Sequence, residues 1–256
     1  MALVKICGVT RAQDAERAVG LGAWAIGLNF WPHSSRHIEP GEAAVVAASV
    51  RRRCEVAGVF VNAELATVVA TAEAVGLTML QFHGDEGPAL CAEAARRTGC
   101  RVIKAFRPST AGEVRAIDTF RVDFHLVDAA VSGSYGGTGE PADWALLARR
   151  RSRIPLILAG GLDAENIGEA IRTVRPHAVD VASGVESSPG VKDPAKLIAF
   201  FRGVQATVEA PPTPPSEPPA LAPAAAQEPE PEPPAIPTPA EPRVRTLIKT
   251  PAQDGA

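Results

Sequence analysis

The chain has 256 residues, of which 46% are apolar, and a formal net charge of −3. So small a charge gives nucleic acid or an anionic membrane no electrostatic footing, and neither is expected as a partner. The length suits one large α/β domain or two small ones and does not choose between them, and aromatic residues are only 5% of the chain, so alanine, valine and leucine must fill most of any core.

The first strand-like run is residues 3–7, with no basic and apolar leader of the secretory kind before it. No stretch reaches the roughly 18 apolar residues of a membrane span, and the expected location is the cytoplasm. In that compartment Cys7, Cys54, Cys91 and Cys100, which show no CxxC spacing, are expected to be free thiols. The five histidines are scattered, and no metal site is expected.

Up to about residue 205 one pattern repeats. Short apolar or β-branched runs at 3–7, 25–30, 56–61, 79–83, 101–106, 124–128, 155–159 and 179–182 predict strands. Between them, stretches of helical period at 11–21, 40–50, 63–75, 87–98, 111–119, 143–151, 164–174 and 194–202 predict helices. Strands alternating with helices imply βαβ units and a parallel sheet buried on both faces. Eight full units without a long insertion fit a closed (β/α)8 TIM barrel better than an open doubly wound sheet. The predicted domains are therefore a barrel over 1–205 and a tail over 206–256.

The tail has another composition. Runs such as APPTPPSEPP and EPEPEPPAIPTPAEP hold most of the prolines and few large apolar side chains. Such a Pro/Ala/Glu-rich segment cannot bury enough surface to offset its ordering entropy, so disorder with local polyproline II character is expected. The stretch 243–249, RVRTLIK, is the part of it that a partner could dock on.

In parallel barrels the chemistry sits where strands end and βα loops begin. Those positions hold KICG ending strand one, GLNFWPHSSRHI leading to Arg36, QFHGDE ending strand four, LVDA followed by SGSYGGTGEPADW, LAGGLDAENI after strand seven, and VDVASGVESSPGVKD from strand eight. This ordered set resembles the phosphoribosylanthranilate isomerases of tryptophan biosynthesis, over the whole barrel and excluding the tail. Phe82, Asp163, Ala182 and Ala142 depart from the residues common in that family, none at a position expected to be catalytic.

The resemblance implies an Amadori rearrangement of N-(5-phosphoribosyl)anthranilate to the aminoketose, which acid–base groups carry out without a cofactor. By that resemblance Cys7 is the base and Asp128 the acid. Cys7 needs its thiol pKa lowered from about 8.5 to work near neutrality, and Lys5, two residues earlier on the same strand face, is a source of positive charge. Asp128 must be protonated when substrate binds, which burial or the substrate's own negative charges would favour.

Arg36 suits the anthranilate carboxylate, because a guanidinium offers a planar fork for bidentate binding. Gly160, Gly161, Ser183 and Gly184 follow strands seven and eight, where such barrels bind phosphate on backbone N–H groups. Gly137, in the loop 136–139, is expected to close over the same group. Asp180 faces the barrel interior or the site, and Gln81 and His83 are expected to support the mouth rather than carry protons.

The expected ligand is thus a small phosphorylated molecule, and the chain is expected to be a monomer. A histidine-pathway or dual-substrate sugar-phosphate isomerase is the alternative within the fold. Those enzymes resemble this chain in their phosphate site but have an aspartate as the strand-one base. A non-catalytic barrel with the tail as an interaction module is the alternative of another class; Cys7, Arg36 and Asp128 together argue against it.

Overall fold

The computed structural model describes residues 1–108, 110–128 and 144–209. Eight parallel strands close into a barrel in sequence order: β1 (Leu3–Ile6), β2 (Ala25–Asn29), β3 (Glu55–Phe60), β4 (Met79–Phe82), β5 (Arg101–Phe106), β6 (Phe124–Asp128), β7 (Leu156–Ala159) and β8 (Ala178–Val181). Closure is direct, with Leu3 to Ile6 of β1 aligned with Ala178 to Val181 of β8. The helices between them are α1 (Ala12–Gly20), α2 (Pro40–Ser49), α3 (Leu65–Val75), α4 (Pro88–Thr98), α5 (Ala111–Ala116), α6 (Trp144–Ala148), α7 (Ile167–Val174) and α8 (Pro194–Glu209). All sixteen predicted elements are present, most within a residue or two of their expected ends.

The period-two alternation of the strands divides the apolar residues into two cores. Side chains such as Ala25, Ala57, Met79, Ile103, Leu126, Ile157 and Ala178 fill the barrel lumen. Their neighbours in sequence, such as Val4, Ile26, Leu28, Phe60, Leu80, Phe82 and Val179, pack outward against the helices. Helix boundaries follow local chemistry. Pro40 and Pro88 open α2 and α4, where a missing N–H costs no hydrogen bond. Gly76 and Gly99, at φ 73° and 71°, end α3 and α4 in the left-handed conformation.

Three departures from the sequence reading have physical causes. Helix α7 begins at Ile167 rather than 164, because Asp163 Oδ1 accepts the N–H groups of Glu165 and Asn166, and Asn166 Oδ1 accepts that of Asp163. This local closure competes with the first helical turn. Helix α8 continues to Glu209, past the boundary at 205. Ala206, Thr207 and Val208 carry it on, and the first helix-incompatible residue is Pro211. The rest of the expected tail, from 210, lies outside the described residues. Finally, β8 is followed by a 3-10 turn (Ser183–Val185) and an unforeseen hairpin of β9 (Glu186–Ser188) and β10 (Val191–Lys192), turning at Gly190 with φ 81°.

Candidate active site

The C-terminal ends of the strands open on a cavity of about 410 Å³, whose wall includes Cys7, Arg36, Gln81, Asp128, Gly160 and Asp180. Its floor is ionic. Lys5 and Asp180 face each other in register on β1 and β8, and Lys5 Nζ donates to Asp180 Oδ1 at 2.9 Å. Lys5 is fully buried and Asp180 is 7% exposed. Room for this pair comes from β2: a Cβ on Gly27 would lie 3.1 Å from Lys5 Nζ and 2.8 Å from Cys7 Sγ. Burial alone would lower the Lys5 pKa, but the charges of Asp180 and Cys7 outweigh it and hold the ammonium above its ordinary value.

Cys7 is the first residue beyond β1, and its N–H still continues the ladder to Val181 O at 2.8 Å. Its side chain stands above Lys5, as the two-residue spacing requires, and the ammonium's charge favours the thiolate. The expected lowering of the thiol pKa is not what this environment produces. Burial pushes it up, Asp180 adds to the rise, and the opposing pull of Lys5 and Lys192 does not reverse it. Lys5 spends its charge first on Asp180, which is why a cation two residues away is insufficient.

Arg36 reaches the cavity from the loop after β2. Asn29 and Ser34 stiffen that loop: Asn29 Oδ1 accepts the Trp31 N–H, and Ser34 Oγ accepts from Asn29 Nδ2 and the Arg36 N–H. Gly8, at φ 69°, lets the Arg36 stem cross the chain, since a Cβ there would meet Arg36 Cδ. The Nε and Nη2 edge of the guanidinium is bound bidentately by Glu186 of β9, at 2.7–3.1 Å. Nη1 has no protein partner among the described residues, so the Nη1–Nη2 edge is the one left for a ligand's carboxylate.

On the far wall Asp128 ends β6. Arg107 Nε donates to its Oδ2 at 3.2 Å, and His83 Nε2 lies 3.8 Å from the same oxygen. His83 Nδ1 is 3.0 Å from Gln81 Nε2. Gln81 and His83 therefore do brace the mouth, but they also line the cavity, and Gln81 Oε1 is buried with no hydrogen-bond partner among the described residues.

The glycine loops lie together at the ends of β7 and β8. Gly160 and Gly161 have φ of 96° and 62°, and Asn166 Nδ2 donates to Gly161 O at 2.8 Å. Gly184 is forced by close approach: a Cβ there would sit 2.0 Å from Leu162 O. Gly160, Gly161 and Ser183 line the cavity, and Gly184 packs the β8 loop against the β7 loop behind them. Gly137 lies outside the described residues.

The model of the N-(5'-phosphoribosyl)anthranilate (PRA) isomerase family matches residues 4–203. The chain is 46% identical over 199 residues to the N-(5'-phosphoribosyl)anthranilate isomerase of Citrifermentans bemidjiense, covering 77% of this chain and 94% of that one. The chain belongs to the N-(5'-phosphoribosyl)anthranilate isomerase family.

The crystal structure of the phosphoribosyl anthranilate isomerase of Thermotoga maritima has the same fold, with a TM-score of 0.75 at 39% identity, covering 80% of this chain and all of that one. A further crystal structure of a family member, 36% identical with a TM-score of 0.70 over 80% of this chain and all of that one, is a complex with reduced 1-(o-carboxyphenylamino)-1-deoxyribulose 5-phosphate.

Glu186 and Lys192 enter the isomerase site without having been singled out from sequence. The signal was a Pro–Gly turn, Pro189–Gly190, between an acid and a base in ESSPGVK. Trp31 and Arg107 also line the cavity unforeseen. Among the described residues no group of three or more His, Cys, Asp and Glu is gathered as a metal would need, and no helix is long and apolar enough to cross a membrane.

Proposed function

We propose that this cavity isomerises N-(5'-phosphoribosyl)anthranilate, with Cys7 as base and Asp128 as acid. Asp128 gives its proton to the furanose ring oxygen as the C1–O bond breaks, leaving a Schiff base between C1 and the anthranilate nitrogen. Cys7, as thiolate, takes the proton from C2, and the electron pair moves to form the enolamine. Loss of the O2 proton and protonation of C1 yield the aminoketose. Every step is a proton transfer, so the sum is an isomerisation that needs no redox partner.

Arg36 holds the anthranilate carboxylate through its Nη1–Nη2 edge. The loops carrying Gly160, Gly161, Ser183 and Gly184 cradle the phosphate, Gly137 is a further residue for binding it, and Asp180 acts beside them by holding Lys5 under the base. The observation that carries this reading is that Cys7 and Asp128, from β1 and β6, lie on the wall of one cavity with the glycine loops between them. The enzyme acts as a cytoplasmic monomer, and catalysis does not need the residues after the barrel.

The test is a fluorescence progress curve with phosphoribosylanthranilate generated in situ, comparing the intact chain with Cys7→Ala. Rapid substrate loss in the first and none in the second is the expected result. Undiminished turnover by folded Cys7→Ala would refute the assignment of the base.

A further inference from the structure

The β9–β10 hairpin delivers two charges beneath the site. Glu186 binds Arg36 on one side, and its Oε1 accepts from Lys192 Nζ at 2.7 Å on the other. Lys192 Nζ also donates to Cys7 O at 2.5 Å and Ala182 O at 3.2 Å. Three acceptors for three N–H bonds is the full complement of a charged ammonium. The hairpin is itself anchored, since the Gly190 N–H donates to Glu186 Oε1 and the Lys192 N–H to buried Asp14.

Lys192 is 1% exposed and Glu186 6%. Burying such a pair gains little stability over apolar residues of the same volume, so its position calls for another explanation. The explanation is the charge count at Cys7. The ionisable groups around it are Lys5 from β1, Asp180 from β8, Lys192 from β10, and the Arg36–Glu186 pair bridging the β2 loop and β9. Three cations face two carboxylates, leaving one net positive charge beside the thiol.

We propose that Glu186 and Lys192 are positioning residues for the two ends of the reaction: Glu186 fixes which edge of Arg36 meets the substrate carboxylate, and Lys192 holds the Cys7 backbone and supplies the positive charge behind its sulfur. Lys5 cannot fill the second role alone, because Asp180 neutralises it directly. The burial of Lys192, which drives its own pKa down, is the cost of placing that charge there. This proposal rests on Cys7 being the base.

The test compares the full-length chain with its Lys192→Met, Lys192→Arg and Glu186→Gln variants. The pH dependence of iodoacetamide alkylation is followed at the Cys7 peptide by mass spectrometry, so the other three cysteines do not interfere. Removing the cation in Lys192→Met is expected to move the half-alkylation pH of Cys7 up by about one unit, and Lys192→Arg to restore most of the shift. Glu186→Gln leaves two net positive charges and is expected to move it down by about half a unit, while raising KM about tenfold with kcat changed less than about threefold.

Opposite shifts from neighbouring residues are not what a general loosening of the hairpin produces. Unmoved values, or both variants shifting the same way, would overturn the proposal. Should Lys192→Met fail to fold, the sign of the shift in the near-isosteric Glu186→Gln decides by itself. Turnover by Cys7→Ala would instead bring down the base assignment on which the proposal stands, so the two failures are distinct.

Discussion

Replacing Lys5 with methionine isolates the energetics of the barrel's ionic floor. Lys5 and Asp180 meet at 2.9 Å with 0% and 7% of their side chains exposed. At an effective dielectric constant of about 20, two unit charges at that separation attract by about 6 kcal/mol. Desolvating each ion costs several kcal/mol, so the intact pair is worth little net. Removing the cation alone leaves the Asp180 carboxylate desolvated, at a cost of about 4 kcal/mol.

Urea unfolding at pH 7 with linear extrapolation measures this directly, and the accompanying loss in Tm should be about 8–16 °C for a domain of this size. The double variant Lys5→Met/Asp180→Leu should recover stability to within about 1 kcal/mol of the parent, because apolar side chains then fill the same space. A loss below about 1 kcal/mol in Lys5→Met, or a double variant no more stable than the single one, would refute the reasoning. Either would mean that the pair's charges are not buried against each other in the folded protein.

Gly184→Ala should destabilise the chain by about 3 kcal/mol, because its Cβ would meet Leu162 O at 2.0 Å and one backbone must retreat from the other. Thermal unfolding followed by circular dichroism checks this, and KM should rise more than kcat falls because the shift opens the phosphate loops; a wild-type Tm would count against the close approach. His125 is fully buried, with Nε2 donating to Phe120 O at 2.9 Å and Nδ1 accepting from Arg150. Burial first, and then the charge of Arg150, depress its pKa against the pull of Phe120 O and Asp118. The unfolded chain therefore binds a proton below about pH 6.5 that the folded chain refuses, and stability falls as pH drops from there towards the folded value. His125→Gln should flatten the pH dependence of unfolding free energy in that window, and an unchanged slope would exclude His125 as its source.

The barrel was legible because its physics is repeated. Each strand is a short apolar run long enough to cross the sheet once, and each helix pattern is long enough to return, so the count of eight follows from spacing. The mouth was legible in part for the same reason. Once the strands are placed, period-two alternation puts Lys5 with Cys7, and Gln81 with Met79 and His83, on the inner face. Boundaries failed where a side chain or a break in composition misled. Asp163 and Asn166 form their own closure ahead of α7, and the alanine- and valine-containing end of α8 runs on to Glu209.

The electrostatics of the site were not legible, and Cys7 shows why. A cation two residues away in sequence suggests an activated thiol, yet the charge at a sulfur depends on groups remote in the chain. Asp180 reaches Lys5 across 175 residues, and Lys192 reaches the Cys7 carbonyl across 185. Lysine and glutamate are almost always exposed, so ESSPGVK reads as a solvated turn until the hairpin is seen folded back under β1. The same hairpin occupies one edge of the Arg36 fork, the Nε–Nη2 edge bound by Glu186. What remains open to the carboxylate is a narrower and better defined target than a free guanidinium, and holding it fixed removes rotamer entropy that binding would otherwise have to overcome. Glu186 therefore contributes to substrate recognition without facing the substrate, and its effect should appear in KM before it appears in kcat.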